Sequence, residues 1–239
     1  MVDKTQGWFA INMHTKETTT ISLFGSSGFV GSHYLAQSQL KVIPKFTFNF
    51  ISSWFVYGEG PIPYSEEQPC NPKGFYSITK YAAEMLLKSY CVTFDLDFRI
   101  IRLANVVGSN DSKASKRKNA LQYLAHQIEI DEPIELYENG LVIRDFIHVD
   151  DVVRGIDLII EKGRKNEIFN LGSGVGTSLG SILREYHQSI GSKSIISGIP
   201  TPKFHSVIQV KDSILKIDKL QSLGFNPTIK ITAETLRSL

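Results

Sequence analysis

Cysteine is scarce in this chain of 239 residues: Cys70 and Cys91 are the only two, and no C-x-x-C pair exists. That excludes a disulfide framework and a cysteine zinc centre, and it suits a reducing cytoplasm. Neither sign of charge is in excess, since Lys+Arg 26 against Asp+Glu 24 leaves a net +2. A chain so balanced is not held to nucleic acid by bulk charge. No apolar run reaches the roughly 18 residues that a membrane span needs, so no membrane partner is expected. The N-terminal stretch mixes Asp3, Lys4, Gln6, Lys16 and Glu17 and lacks the apolar centre of a secretory signal. The six histidines show no H-x-x-x-H or similar spacing, and no metal is expected.

What is present is an ordinary globular composition, 42% hydrophobic and 21% charged. Residues 1–18 read as an irregular lead-in whose one apolar island is Trp8-Phe9-Ala10-Ile11. From residue 19 onward, short apolar strands alternate with amphipathic helices. Strands are expected at Ile21–Phe24, Phe46–Ile51, Phe98–Leu103, Leu141–Val149 and Ile168–Leu171. Helices are expected from near Phe29 and over 75–91, 119–130, 151–161 (with Asp150 as N-cap), 178–190 and Leu215–Leu223. Near-continuous apolar strands between helices imply a mostly parallel sheet covered on both faces.

Three groups of residues carry the chemistry. The first is Gly25-Ser-Ser-Gly28-Phe29-Val30-Gly31, with glycines three apart between a strand and a helix. A dinucleotide pyrophosphate must approach backbone N–H groups at a helix N-terminus, and side chains there would block it. The same spacing also makes a tight strand-to-helix turn without a ligand. The acidic residue that anchors a ribose about 20 residues further on is missing, because no Asp or Glu lies between Glu17 and Glu59.

The second group is Tyr76 and Lys80, at i and i+4 on one helix face. An ammonium beside a phenol stabilises the phenolate, and such a tyrosine can take or give the proton of a carbinol. The bland alternative is a solvated helix face. Ser53 ends an apolar strand upstream, where a parallel sheet places its ligands, and its hydroxyl can reach the same oxygen. The third group is basic. Arg144 can grip phosphate oxygens in a bidentate way or form an ion pair with Asp145 or Asp150. Lys113, Lys116, Arg117 and Lys118 read as a solvated loop or a phosphate-facing patch.

Taken in order, these blocks resemble the extended short-chain dehydrogenase/reductase family, in its nucleotide-sugar epimerase/dehydratase branch. The resemblance rests on the glycine turn, Ser53 with Val56-Tyr57-Gly58, the Pro72–Glu84 stretch, and Arg102-Leu-Ala-Asn105-Val-Val-Gly108. Arg144-Asp-Phe-Ile-His-Val-Asp-Asp151, Phe169-Asn-Leu-Gly-Ser-Gly174 and Leu223-Gly-Phe-Asn-Pro227 complete it.

It implies an α/β fold: a Rossmann-like doubly wound parallel sheet at 19–175 and a small C-terminal substrate-binding domain at 176–239, with 111–140 contributing to the substrate side. It implies Ser53, Tyr76 and Lys80 as the catalytic set. Gly25, Gly28, Phe29, Val30, Gly31, Tyr76 and Lys80 would bind NAD, with NADP left open. Asn105 and Arg144 would bind a nucleoside-diphosphate sugar, and the protein would be a homodimer. The reaction expected is 4-epimerisation through a transient 4-keto sugar. The same residues would also serve a 4-keto-sugar reductase, or a truncated and catalytically silent relative that only binds the sugar nucleotide.

Three departures stand out. Only residues 32–52 separate Gly31 from Ser53, where the family places two further strand–helix units of about 30 residues each. Trp54-Phe55 occupy the positions where the family's dehydratases carry an Asp-Glu pair, which disfavours loss of water. No arginine lies between Arg184 and Arg237, so Lys203, Lys211 or His205 are the candidates for meeting the diphosphate there.

Overall fold

A computed structural model describes residues 9–15, 18–24, 47–109, 119–208 and 210–237. The glycine turn (Gly25, Gly28, Phe29, Val30, Gly31), the helix expected from Phe29 and the basic cluster at 113–118 lie outside the described residues. Strands β1 (Phe9–Thr15) and β2 (Thr18–Phe24) form an antiparallel hairpin in which Thr15 faces Thr18. This corrects the irregular lead-in. The β-branched run Thr18-Thr-Thr-Ile21 favours extended backbone well before the four residues expected, and Phe9–Thr15 supplies its partner.

The central sheet is parallel, in the order β3 (Thr47–Ser53), β4 (Asp97–Leu103), β8 (Glu167–Leu171). Ile100 and Ile101 are fully enclosed, as a strand covered on both faces requires. Two arginines in the same strand need internal partners. Arg99 donates to the Gly163 carbonyl at 2.9 Å and the Asn49 amide oxygen at 3.3 Å. Arg102 makes a bidentate pair with Glu84 at 3.1 and 2.7 Å. Strand β3 runs two residues beyond its expected end and carries Ser53 to the carboxyl edge of the sheet.

Helix α1 (Phe75–Thr93) packs on this sheet. The buried Ser77 hydroxyl accepts from the Gly74 N–H at 2.9 Å and donates to its carbonyl at 2.8 Å, which closes the first turn. Only Ser77, Glu84 and Cys91 of the helix are fully buried. Its outer face is apolar, with Phe75, Ile78, Met85, Leu86 and Val92 exposed.

Strands β5 (Asn105–Val107), β7 (Ile143–His148) and β9 (Gly176–Ser178) form a second sheet, parallel then antiparallel. Strands β6 (Ile134–Tyr137) and β10 (Ile196–Ile199) form a parallel pair. Helices α2 (Ala120–Glu129) and α4 (Leu179–Ile190) pack over these strands, with Leu121, Ile128, Phe146, Leu183 and Tyr186 in one core. A separate core joins Trp54, Tyr57, Ile101, Ile147, Phe169 and Leu171 to Leu215, Leu220 and Phe225.

Two of the helices that depart from their expected bounds show the cause directly. Helix α3 (Val149–Lys162) is capped by His148, whose Nδ1 accepts from the Asp150 N–H at 3.2 Å. Asp150 lies inside the first turn, where its charge complements the helix dipole. The helix expected over Leu215–Leu223 shortens to Asp218–Ser222, because backbone at 214–216 is spent pairing with Tyr64. The other short helices are Lys203–Ile208 and Ala233–Leu236. Among the described residues, no helix is long and apolar enough to cross a membrane.

Removing one member of a buried ion pair strands the other, at a cost of roughly 3–5 kcal/mol. Urea unfolding of Glu84→Ala is therefore expected to show a loss of that size, most of it recovered in the double variant Glu84→Leu/Arg102→Met. A Glu84→Ala loss of about 1 kcal/mol or less, the range of an exposed pair, would contradict this role.

Candidate active site

The carboxyl end of β3 turns directly into a short 3-10 helix, Trp54–Tyr57, with Ser53 as its cap. The Ser53 oxygen accepts from the Phe55 N–H at 3.4 Å. The turn closes at Gly58, whose φ of +70° and 1.9 Å approach to the Asn71 carbonyl (measured from an added Cβ) leave room for glycine alone. Ser53 and the first turn of α1 are thereby brought face to face.

The Tyr76 ring stands edge-on to Phe55 at 6.1 Å. Burial pushes the Tyr76 phenol above its ordinary range, although 55% of the residue is exposed, and a hydrogen bond with the Ser53 hydroxyl opposes that shift. The Lys80 ammonium lies 6.0 Å from the Tyr76 ring centroid and 5.3 Å from the Phe50 ring. It donates to the Ile51 carbonyl at 3.0 Å. Burial lowers its affinity for the proton, and Glu84 one turn along the helix opposes this. The sequence places an ammonium beside a phenol and expects a depressed tyrosine. In the chain alone burial raises the phenol instead; Lys80 crosses to the strand carbonyl, and Ser53 supplies the one opposing contact.

The second half of the site is built by β5 and β7. Their pairing sets Asn105 opposite Phe146, and the Asn105 amide donates to the Asp145 carbonyl at 3.1 Å. Arg144 donates from Nη1 to the carbonyls of Ile143 (2.9 Å) and Lys211 (2.5 Å), and from Nη2 to that of Val210 (2.8 Å). Its guanidinium lies 5.3 Å from the Trp54 ring. Burial lowers the Arg144 pKa to about 10, against the pull of Asp212 and Tyr64. It remains cationic at neutral pH and forms no ion pair with Asp145 or Asp150.

Those acids work elsewhere. Asp150 sits 3.4 Å from His148. Buried Asp145 accepts from the Ser173 N–H and hydroxyl, the Gly174 N–H and the Leu215 N–H, at 2.6–3.2 Å. Buried Asp151 accepts from the Thr228 N–H and hydroxyl and the Ile229 N–H, each at 3.0 Å, and from Arg154. The Arg144–Asp151 block thus presents one cation toward Trp54 and ties down three chain segments with two carboxylates. Lys211 contributes its carbonyl, and the His205 ring lies tilted at 39° to the Tyr137 ring, 5.3 Å away.

A network behind the site is not evident from local sequence pattern. Arg102 lies 4.6 Å from the Tyr57 ring, the Tyr57 hydroxyl donates to Asn170 at 2.7 Å, and the Asn170 N–H donates to Glu66 at 2.9 Å. Arg102, a second arginine in a mostly apolar strand, is the available signal, since a buried charge demands an internal partner.

The family model described as NAD dependent epimerase/dehydratase family matches residues 35–172. A putative UDP-glucose 4-epimerase of Methanocaldococcus jannaschii is 28% identical over 177 residues, which are 74% of this chain and 56% of that protein. A UDP-glucose 4-epimerase of Thermotoga maritima, solved with UDP-glucose, superposes with a TM-score of 0.74 at 29% identity, over 87% of this chain and 66% of that one. A UDP-glucuronic acid 4-epimerase of Bacillus cereus, solved with UDP-glucuronic acid and NAD, gives 0.73 at 25% identity, over 83% and 61%. The α/β architecture is therefore Rossmann-like, and the chain spans about half the length of the curated relatives it matches.

Burial pushes the Asp151 carboxyl up, but its hydrogen bonds outweigh that and hold it below its ordinary 3.8. A depressed acid stabilises the fold above its unfolded value and loses that contribution as pH falls through its folded one. As pH falls from neutral through 3.8 and below, Asp151→Asn is expected to lose less stability than the unaltered chain. Equal losses in denaturant titrations would contradict this.

Proposed function

The chain belongs to the NAD dependent epimerase/dehydratase family, and on that premise we propose that it inverts C4 of a nucleoside-diphosphate sugar through a transient 4-keto sugar. The observation that carries the reading is the meeting of Ser53, Tyr76 and Lys80 where β3 ends, with Arg144 reached from there through Trp54.

The donor set fits NAD or NADP. Among the described residues Lys80 makes one hydrogen bond, to Ile51, and an ammonium has three donors. It keeps donors for a ribose, and the half-exposed Tyr76 borders the same space. Gly25, Gly28, Phe29, Val30 and Gly31 are the residues proposed to cradle the pyrophosphate. When bound, the dinucleotide supplies the acceptor and donor of hydride.

Tyr76 takes the proton of the C4 hydroxyl and returns it when the ketone is reduced from the other side. Ser53 hydrogen-bonds the same oxygen and orients it. Taking that proton needs a lower phenol pKa than the chain alone provides, and Lys80, 6.0 Å from the ring, is the cation we assign to lower it once the cofactor is bound. Asn105 and Arg144 meet the diphosphate, on the substrate side formed by 176–239 together with the 119–140 stretch that shares its core. Trp54 and Phe55 offer no carboxylic acid to expel water, so the 4-keto sugar is reduced rather than dehydrated.

The exposed apolar face of α1, where Phe75 is 84% and Val92 80% exposed, supports a homodimer, since soluble monomers seldom leave such a face uncovered. The free thiols Cys70 and Cys91 suit a cytoplasmic protein.

Purified protein given UDP-glucose or UDP-N-acetylglucosamine, with no added reductant, is expected to form the C4 epimer. Tyr76→Phe should lower the rate by about 10²–10⁴-fold, and an undiminished rate would remove the mechanism. A requirement for stoichiometric reduced dinucleotide would identify a reductase instead. Sedimentation of the unaltered chain as a dimer, and of Leu86→Glu as a monomer, is the outcome expected for the α1 face. An unaltered chain that sediments as a monomer contradicts it.

A further inference from the structure

Trp54 lies directly after Ser53, and only 2% of it is exposed. Its ring stacks on Phe55 at 3.9 Å with the planes 24° apart. It also meets the Arg144 guanidinium at 5.3 Å, and Phe55 meets Tyr76 edge-on at 6.1 Å. Arg144, Trp54, Phe55 and Tyr76 thus form one continuous series of contacts.

The donors of Arg144 explain why an aromatic ring belongs in that series. A guanidinium has five N–H groups. Nη1 uses two on Ile143 and Lys211, and Nη2 uses one on Val210. The Nε–H and one Nη2–H are left without a protein partner among the described residues. A carboxylate at position 54 would compete for those donors and cancel the charge. An indole face attracts the cation through its quadrupole and leaves the N–H edge open.

We propose that Trp54-Phe55 is a positioning bridge: Trp54 holds the Arg144 guanidinium while sparing its donors for a diphosphate, and Phe55 fixes the Tyr76 ring at a set spacing from that anchor. This rests on the reading of Arg144 and Tyr76 given above.

The test uses UDP and dTDP as probes, in calorimetric titrations of the full chain. Trp54→Leu removes the ring and is expected to weaken binding roughly tenfold, while Trp54→Phe keeps a ring face and stays within about threefold. Equal weakening in both variants, or none in either, would show that Trp54 only fills volume and would overturn the bridge. Failure of the unaltered chain to bind either probe would remove the diphosphate reading itself, and the bridge with it.

A second arm needs no change at position 54. The chain has two tryptophans, so Trp8→Phe leaves Trp54 as the sole tryptophan, read by exciting beyond the tyrosine band. Its fluorescence is expected to change on adding UDP, with the same midpoint as the calorimetric titration. Unchanged emission at saturating UDP would overturn the proposal.

Discussion

The buried pair between Glu84 and Arg102 is what gives the helix carrying Tyr76 and Lys80 a defined seat. That helix buries just three side chains completely, and most of its large apolar residues face outward. Hydrophobic contact alone would hold it against the sheet but would leave its rotation loosely set. Two charged hydrogen bonds at 3.1 and 2.7 Å, with both partners shut away from water, allow a single orientation. The desolvation of both ions makes this a costly way to gain stability and a good way to gain position. From Arg102 the same network runs through the Tyr57 ring to Asn170 on β8. Helix, sheet and the turn after Ser53 are fixed against one another.

The other half of the site depends on keeping a charge unneutralised. Arg144 is held by three carbonyls and an indole face, and the carboxylates nearest in sequence are engaged with other segments. Asp145 grips the Ser173-Gly174 turn and Leu215, and Asp151 grips Thr228 and Ile229. One short stretch of chain therefore builds an anion-receptive cation and also ties down the segments around it. Its charged residues divide between the cation proposed to meet a diphosphate and two carboxylates that hold neighbouring segments.

Much of this was legible in the sequence, and what was not has identifiable causes. Apolar runs located β3, β4 and β8 within two residues, because strands buried on both faces must be continuous. Ser53 and the Tyr76–Lys80 spacing were readable as local pattern. The direction in which Lys80 points was not, since it is decided by the Ile51 carbonyl on a strand 29 residues away. Asp150 resembles a cap because caps favour Asp, yet the histidine two residues earlier takes the role. The shortening of the 215–223 helix followed from pairing with Tyr64, which no local window contains. Glu84 passed unnoticed because its partner is 18 residues distant.

The central claim is that hydrogen leaves C4 of a bound hexose and returns to the same carbon while Tyr76 handles the proton. UDP-glucose carrying deuterium at C4, incubated with the protein and followed by NMR or mass spectrometry, tests it most directly. The account predicts a galacto product with the deuterium still at C4. A product that has exchanged its C4 deuterium with solvent, or unchanged UDP-glucose in the presence of saturating NAD, would contradict it.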